Sequence, residues 1–228
     1  MSQSQTLPVP PPPLAEAATP ELIPRLTRIA WMGVLLGLVI ELLLLLVLGL
    51  AGKMPPLVTI VADTVQKMTW STLVCAALAA AQTLRNVRTP GAMATAGLLG
   101  APIALLVARA AHKAVNTALD AAPAAQTATP WLLAGLKGLE YAVLGLLLYW
   151  LAKRASGLRA YAVSGAVLGL AFFGLLSWMM PLDGGLQACL LRAINEVLHP
   201  VGCALVIYFG AQFGARLGAK PGALAAGS

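Results

Sequence analysis

Six apolar runs, each near or above 20 residues, decide what this chain can fold into. They span roughly residues 29 to 50, 57 to 84, 92 to 113, 131 to 151, 160 to 180 and 190 to 214. A helix rising 1.5 Å per residue needs about 20 predominantly apolar residues to cross the hydrocarbon of a bilayer. The runs therefore predict an all-α integral membrane protein of six transmembrane helices. Only 10% of the 228 residues are charged, against about 25% in soluble domains. The sequence divides into a disordered, proline-rich cytoplasmic leader (1–28), a six-helix transmembrane domain (29–216) and a cytoplasmic tail (217–228). No room remains for a soluble catalytic domain.

The net charge of +7 would suggest nucleic acid in a soluble protein, but here basic residues punctuate the runs and no nucleic-acid partner is expected. Arg25 and Arg28 precede the first run, Arg85 and Arg88 follow the second, Lys153, Arg154 and Arg159 follow the fourth, and Arg216 and Lys220 follow the sixth. The other connections carry Lys53, Lys113 with Asp120, and Asp183. Basic residues concentrate on the cytoplasmic side of short loops. Both termini are therefore expected in the cytoplasm, in a multi-pass protein of the inner (plasma) membrane. The bilayer is the first partner. The proline tract Pro8–Pro13 and the outer polar layer described below are the surfaces on which protein partners would dock.

The odd runs align on "GVLLGLVIELLLLL", "AGLLGAPIALLVA" and "GAVLGLAFFGLLS". This superimposes Gly33 with Gly37, Ala96 with Gly100, and Gly165 with Gly169. Such small-xxx-small steps let helix backbones approach where no hydrophobic effect drives association. The even runs align more loosely and share a pair three residues apart: Lys67 with Trp70, Lys137 with Glu140, and Glu196 with His199. The economical reading is three helical hairpin repeats of parallel orientation, related by an axis along the membrane normal.

Given that topology, the ionisable residues inside the runs fall at one depth, in the outer half. They comprise Glu41, Asp63, Lys67, Arg109, Lys137, Glu140, Arg192, Asn195, Glu196 and His199, counting Asn195 for its polarity. A charge in hydrocarbon persists only when paired or hydrated. Helical spacing allows Asp63 with Lys67, Lys137 with Glu140, and Arg192 with Glu196. Glu41 has no basic residue within reach on its own run. It must hold a proton, meet water, or find Arg109, Lys67 or Lys137 across the bundle. Lys53, Lys113, Asn116 and Asp120 read as side chains reaching back to the interface.

These residues suggest a polar outer vestibule for permeation or transport of a small solute or ion, beside Pro102 and Pro200, which each remove a backbone donor. The alternative is a non-catalytic accessory or scaffold subunit of a larger membrane complex. A haem- or metal-binding role would draw on His112, Glu196 and His199, since two imidazoles from facing helices can ligate iron and Glu-x-x-His is a metal-bundle step. Only one such step is present, and no cofactor is expected. Ser71, one turn from Lys67, could be drawn as a dyad, but no GxSxG, phosphate-loop, HExxH or paired CxxC pattern supports an enzyme. Cys75, Cys189 and Cys203 read as small packing residues.

Overall fold

In a computed structural model, residues 19–83, 89–120, 130–182 and 184–218 are described. The proline tract, Arg85, Arg88, Asp183, Lys220 and the tail beyond Gly218 lie outside them. The described residues form six helices: α1 (Thr19–Leu50), α2 (Leu57–Thr83), α3 (Pro90–Ala118), α4 (Pro130–Lys153), α5 (Leu158–Met179) and α6 (Gly185–Gly218). Five are long and apolar enough to cross a membrane. The exception is α2, whose 27 residues suffice in length. Its apolarity is diluted by Asp63, Gln66, Lys67 and a series of threonines and alanines.

α1 starts at Thr19, well before the apolar run, so the last part of the expected leader is helical. The local reason is the Thr-Pro-Glu step at 19–21, a helix-start pattern in which proline's fixed φ and missing N–H are harmless in the first turn. α3 starts in the same way. Thr89 is its N-cap, its hydroxyl oxygen accepting from Ala92 N at 3.1 Å, with Pro90 following directly. The α1–α2 turn needs a left-handed residue and has Gly52 there, at φ 67°.

Successive helices pack antiparallel in pairs, α1 on α2, α3 on α4 and α5 on α6, and the ring closes where α6 meets α1. α2 also packs closely on α3, whereas α4 touches α5 and α6 only sparingly. α2, α4 and α6 run parallel around the centre, and each odd helix sits over a seam between two of them. Exposed Leu35, Val39, Leu42 and Leu46 on α1, and Val163, Val167 and Leu170 on α5, form the apolar outer surface suited to lipid. Trp31, Trp131 and Trp178 are 65%, 73% and 80% exposed. Trp131 and Trp178 lie at helix ends, where amphipathic rings favour the membrane interface, whereas Trp31 lies more than three turns inside α1.

Glycines set how near the paired helices come. A Cβ on Gly37 would stand 2.6 Å from Met68 Cα of α2, and one on Gly169 would stand 2.7 Å from Val197 Cα of α6. Gly33 faces Thr72 and Gly165 faces Val201 in the same manner. On α3 the residue pressed against α4 is Gly97, next to Ala96, with the Tyr141 carbonyl in the space a Cβ would need. Gly100 instead faces Ala77 of α2.

The parallel α2–α6 contact brings two fully buried thiols together: Cys75 donates to Cys203 Sγ at 3.2 Å. Mild oxidation of the folded protein in detergent with iodine is expected to join them. Intact mass would fall by two hydrogens, and peptide mapping would recover one 75–203 link. Recovery of Cys189 linked to Cys75 or to Cys203 in place of the 75–203 link would contradict the α2–α6 contact.

Candidate functional site

Lys67 and Trp70 of α2, Lys137 and Glu140 of α4, and Glu196 and His199 of α6 occupy the first half of their helices. Because those helices are parallel, the side chains meet at one level. Lys137 Nζ donates to Glu140 Oε2 on its own helix at 2.7 Å and to Glu196 Oε2 across on α6. Lys67 Nζ lies 2.6 Å from Glu41 Oε2 of α1. Trp70, one turn after Lys67 on α2, meets both Tyr141, which follows Glu140 on α4, and His199, one turn after Glu196 on α6, so the two ion-pair groups flank one aromatic centre. Aromatic edges close it: the Trp70 ring stands at 82° to Tyr141 with centroids 5.6 Å apart, and at 80° to His199 at 6.4 Å.

Four helices thus contribute charged or imidazole groups to one buried cluster. Glu41, Lys137, Glu140, Glu196 and His199 are buried, between 0% and 7% exposed. The Lys67 side chain is 17% exposed. Four buried polar atoms of the cluster have no hydrogen-bond partner: Glu140 Oε1, His199 Nε2, the Tyr141 hydroxyl and Glu41 Oε2, the last held only by the ion contact to Lys67. His199 Nδ1 is 2.9 Å from Asn195 O, one turn back on α6. If that nitrogen carries the proton, Nε2 is left as a bare acceptor.

Two pairings expected from helical spacing give way to contacts across the bundle. Lys67 pairs with Glu41 rather than with Asp63, and Asp63 Oδ1 lies 3.1 Å from His112 Nε2 of α3. Asn116 Nδ2 in turn approaches His112 Nδ1 at 3.2 Å. An unpaired Glu41 in the interior would cost more than leaving the partly exposed Asp63 to an imidazole and water, which favours the exchange. Arg192 also leaves Glu196 to Lys137. Its Nη1 donates to Met180 O at 2.5 Å, just past the end of α5, and to Leu176 O at 3.5 Å, a carbonyl that also accepts from Met180 N. Arg192→Ala is therefore expected to cost about 1–2 kcal/mol of thermal stability in detergent through those lost charge-assisted bonds, with the Lys137 pairing intact. A change within about 0.5 kcal/mol would show that water replaces the guanidinium.

Of the remaining sequence candidates, Arg109 and Asn195 are half-buried on α3 and α6, and Arg109 Nη1 has no hydrogen-bond partner. Asn195 Nδ2 reaches Glu196 Oε1 at 3.4 Å. His112 and His199 are engaged in separate contacts. Among the described residues, no three His, Cys, Asp or Glu side chains are grouped to hold a metal. Ser71 Oγ is buried without a partner one turn from Lys67, whose ammonium is on Glu41. Tyr141 was not singled out by spacing. Its sequence signal is its place directly after Glu140 on a face that must turn inward. A cavity of about 280 Å³ lined by Gln82, Met93, Tyr149, Ala152 and Lys153 lies at the other end of α2 and α4.

In comparisons with protein families, curated proteins and solved structures, nothing matches this chain. The geometry defines it as a multi-pass helical membrane protein with a charged core.

Proposed function

We propose that this protein moves a small solute or ion across the membrane, with the Lys137 cluster as its working element. The observation that carries the reading is the burial of Lys137 between Glu140 and Glu196. A hydrocarbon-spanning bundle has no need of such groups for stability, since packed apolar residues of similar volume commonly serve as well or better. Intramembrane ionisable residues in contact with one another are the usual mark of a substrate or ion route. The seam between α4 and the α5–α6 pair is the least packed in the ring, and the Lys137–Glu196 ion pair crosses it. Opening there would admit a solute to the cluster without parting the close glycine contacts inside each hairpin. The three hairpins, turned about a common axis, would act as the moving units.

The orientation proposed is that of an inner-membrane protein with both termini in the cytoplasm. A C-terminal reporter that fluoresces only in the cytoplasm should be bright, and a dark, correctly inserted fusion would reverse the sidedness. Transport itself is tested with liposomes containing only this protein and loaded with ion-sensitive dyes. Flux of at least one small ion or solute is expected, reduced on the order of tenfold or more by Glu140→Gln, equivalent to about 1.4 kcal/mol in a barrier. Flux equal to that of empty liposomes across a panel of cations, anions and small neutral solutes would overturn the reading.

A further inference from the structure

We infer that the cluster around Lys137 binds one exchangeable proton, held on Glu140. This rests on the reading above only in making the proton the ion to be moved; the binding site stands on its own geometry. The cluster holds three carboxylates, Glu41, Glu140 and Glu196, against two ammonium groups, Lys67 and Lys137. Glu41 and Lys67 neutralise each other at 2.6 Å. Lys137 is then left with two carboxylates, and one negative charge is unmatched where solvent does not reach. An unmatched charge in such a place draws a counter-ion.

The surroundings select the group that takes it. Both oxygens of Glu196 are engaged, Oε2 by Lys137 and Oε1 by Asn195 Nδ2. Glu140 is 0% exposed and has only Oε2 engaged, so its Oε1 is the carboxylate oxygen of the Lys137 group left open. The other elements supply no further cation. α1 offers Glu41, α2 offers Lys67, and α6 offers Glu196 and His199, its Arg192 being turned to the Met180 and Leu176 carbonyls at the end of α5. α3 meets α4 through Gly97, Leu98 and Pro102, while its His112 is on Asp63 and Arg109 makes no described ion pair. α5 carries Arg159 and Tyr161 near its start, where Tyr161 stacks on Tyr208, and no other charged residue. Tyr141 beside Glu140 is neutral when protonated and adds no charge. A proton fits this closed space, where no open coordination shell for a larger cation is formed.

Binding and release of that proton would switch Lys137 between one ionised partner and two, loosening or tightening its bond across the α4–α6 seam. No step beyond the transfer of a proton between Glu140 and water admitted when the seam opens is involved.

The test is an infrared difference spectrum of the full-length protein in lipid nanodiscs across a pH jump, with and without carbon-13 glutamate. One protonated-carboxylic-acid carbonyl band is expected. It should shift with the glutamate label, disappear in Glu140→Gln, move to lower pH in Glu196→Gln, where Lys137 keeps a single carboxylate partner, and stay unchanged in Asp63→Asn, which lies on His112 outside the Lys137 group. Absence of any label-sensitive band in the wild-type protein overturns the inference without recourse to a variant. So does a band that survives Glu140→Gln. Proton flux into dye-loaded liposomes is measured alongside. A Glu140 band without flux supports the site and removes the transport reading; flux without the band does the reverse.

Discussion

Lys137→Met is expected to be the most damaging single change in the protein. It leaves Glu140 and Glu196 facing each other in the interior with their shared ammonium gone. Removing one partner of a buried pair costs about 3–5 kcal/mol, because the cost is that of an uncompensated charge rather than of one lost contact. Lys137 is 7% exposed and binds both acids, so the upper part of that range applies. The loss should appear as a lowered unfolding temperature in detergent and as loss of flux in liposomes. Adding Glu140→Gln and Glu196→Gln to the methionine variant should restore much of the stability, since no charge then remains unmatched, but should not restore flux. Full stability of Lys137→Met alone would mean that water fills the space and that the cluster is not the dry network described.

The second large effect is expected from Gly97→Leu. The Tyr141 carbonyl of α4 occupies the place of a Cβ at Gly97, and helix backbone cannot yield as a flexible side chain can. Overpacking a well-filled core costs about 1–3 kcal/mol where side chains can shift, and a backbone clash on this scale should exceed that. α4 would be pushed away from α3, carrying Glu140 and Tyr141 out of register with α2 and α6. Gly135→Leu provides the contrast on α4, because nothing stands within 4 Å of a Cβ there. It should stay within about 0.5 kcal/mol of the parent. Size-exclusion profiles and unfolding curves in detergent would separate the two, and similar profiles would contradict the described α3–α4 approach.

The helices were legible in the sequence because a bilayer imposes length and apolarity on every span, and those are one-dimensional properties. The meeting of Lys67, Trp70, Lys137, Glu140, Glu196 and His199 was foreshadowed by their common spacing on the even runs. Parallel helices bring equivalent positions to one level. Partner choice was less accessible. Asp63 lies one turn from Lys67, and local spacing favours that pair. Yet Lys67 turns to Glu41, because the buried acid has more to lose from isolation. The one-residue difference between Ala96 and Gly97 has a similar origin. A stretch rich in Ala, Gly and Leu offers several small-xxx-small steps, and only the helix across from it decides which faces inward. The start of α1 at Thr19 was hidden by the proline-rich composition before it, although Thr-Pro-Glu is itself a helix start.

The measurement that tests the charged core most directly is a charge swap across the α4–α6 seam, read as ion flux in liposomes containing one variant at a time. Lys137→Glu gathers carboxylates together and Glu196→Lys gathers ammonium groups, so each alone should abolish flux and lower stability. The double variant places a lysine on α6 between two carboxylates on α4, and should recover a measurable fraction of both. Equal inactivity of the single and double variants, or full activity of either single variant, would contradict a working ion pair between the two helices.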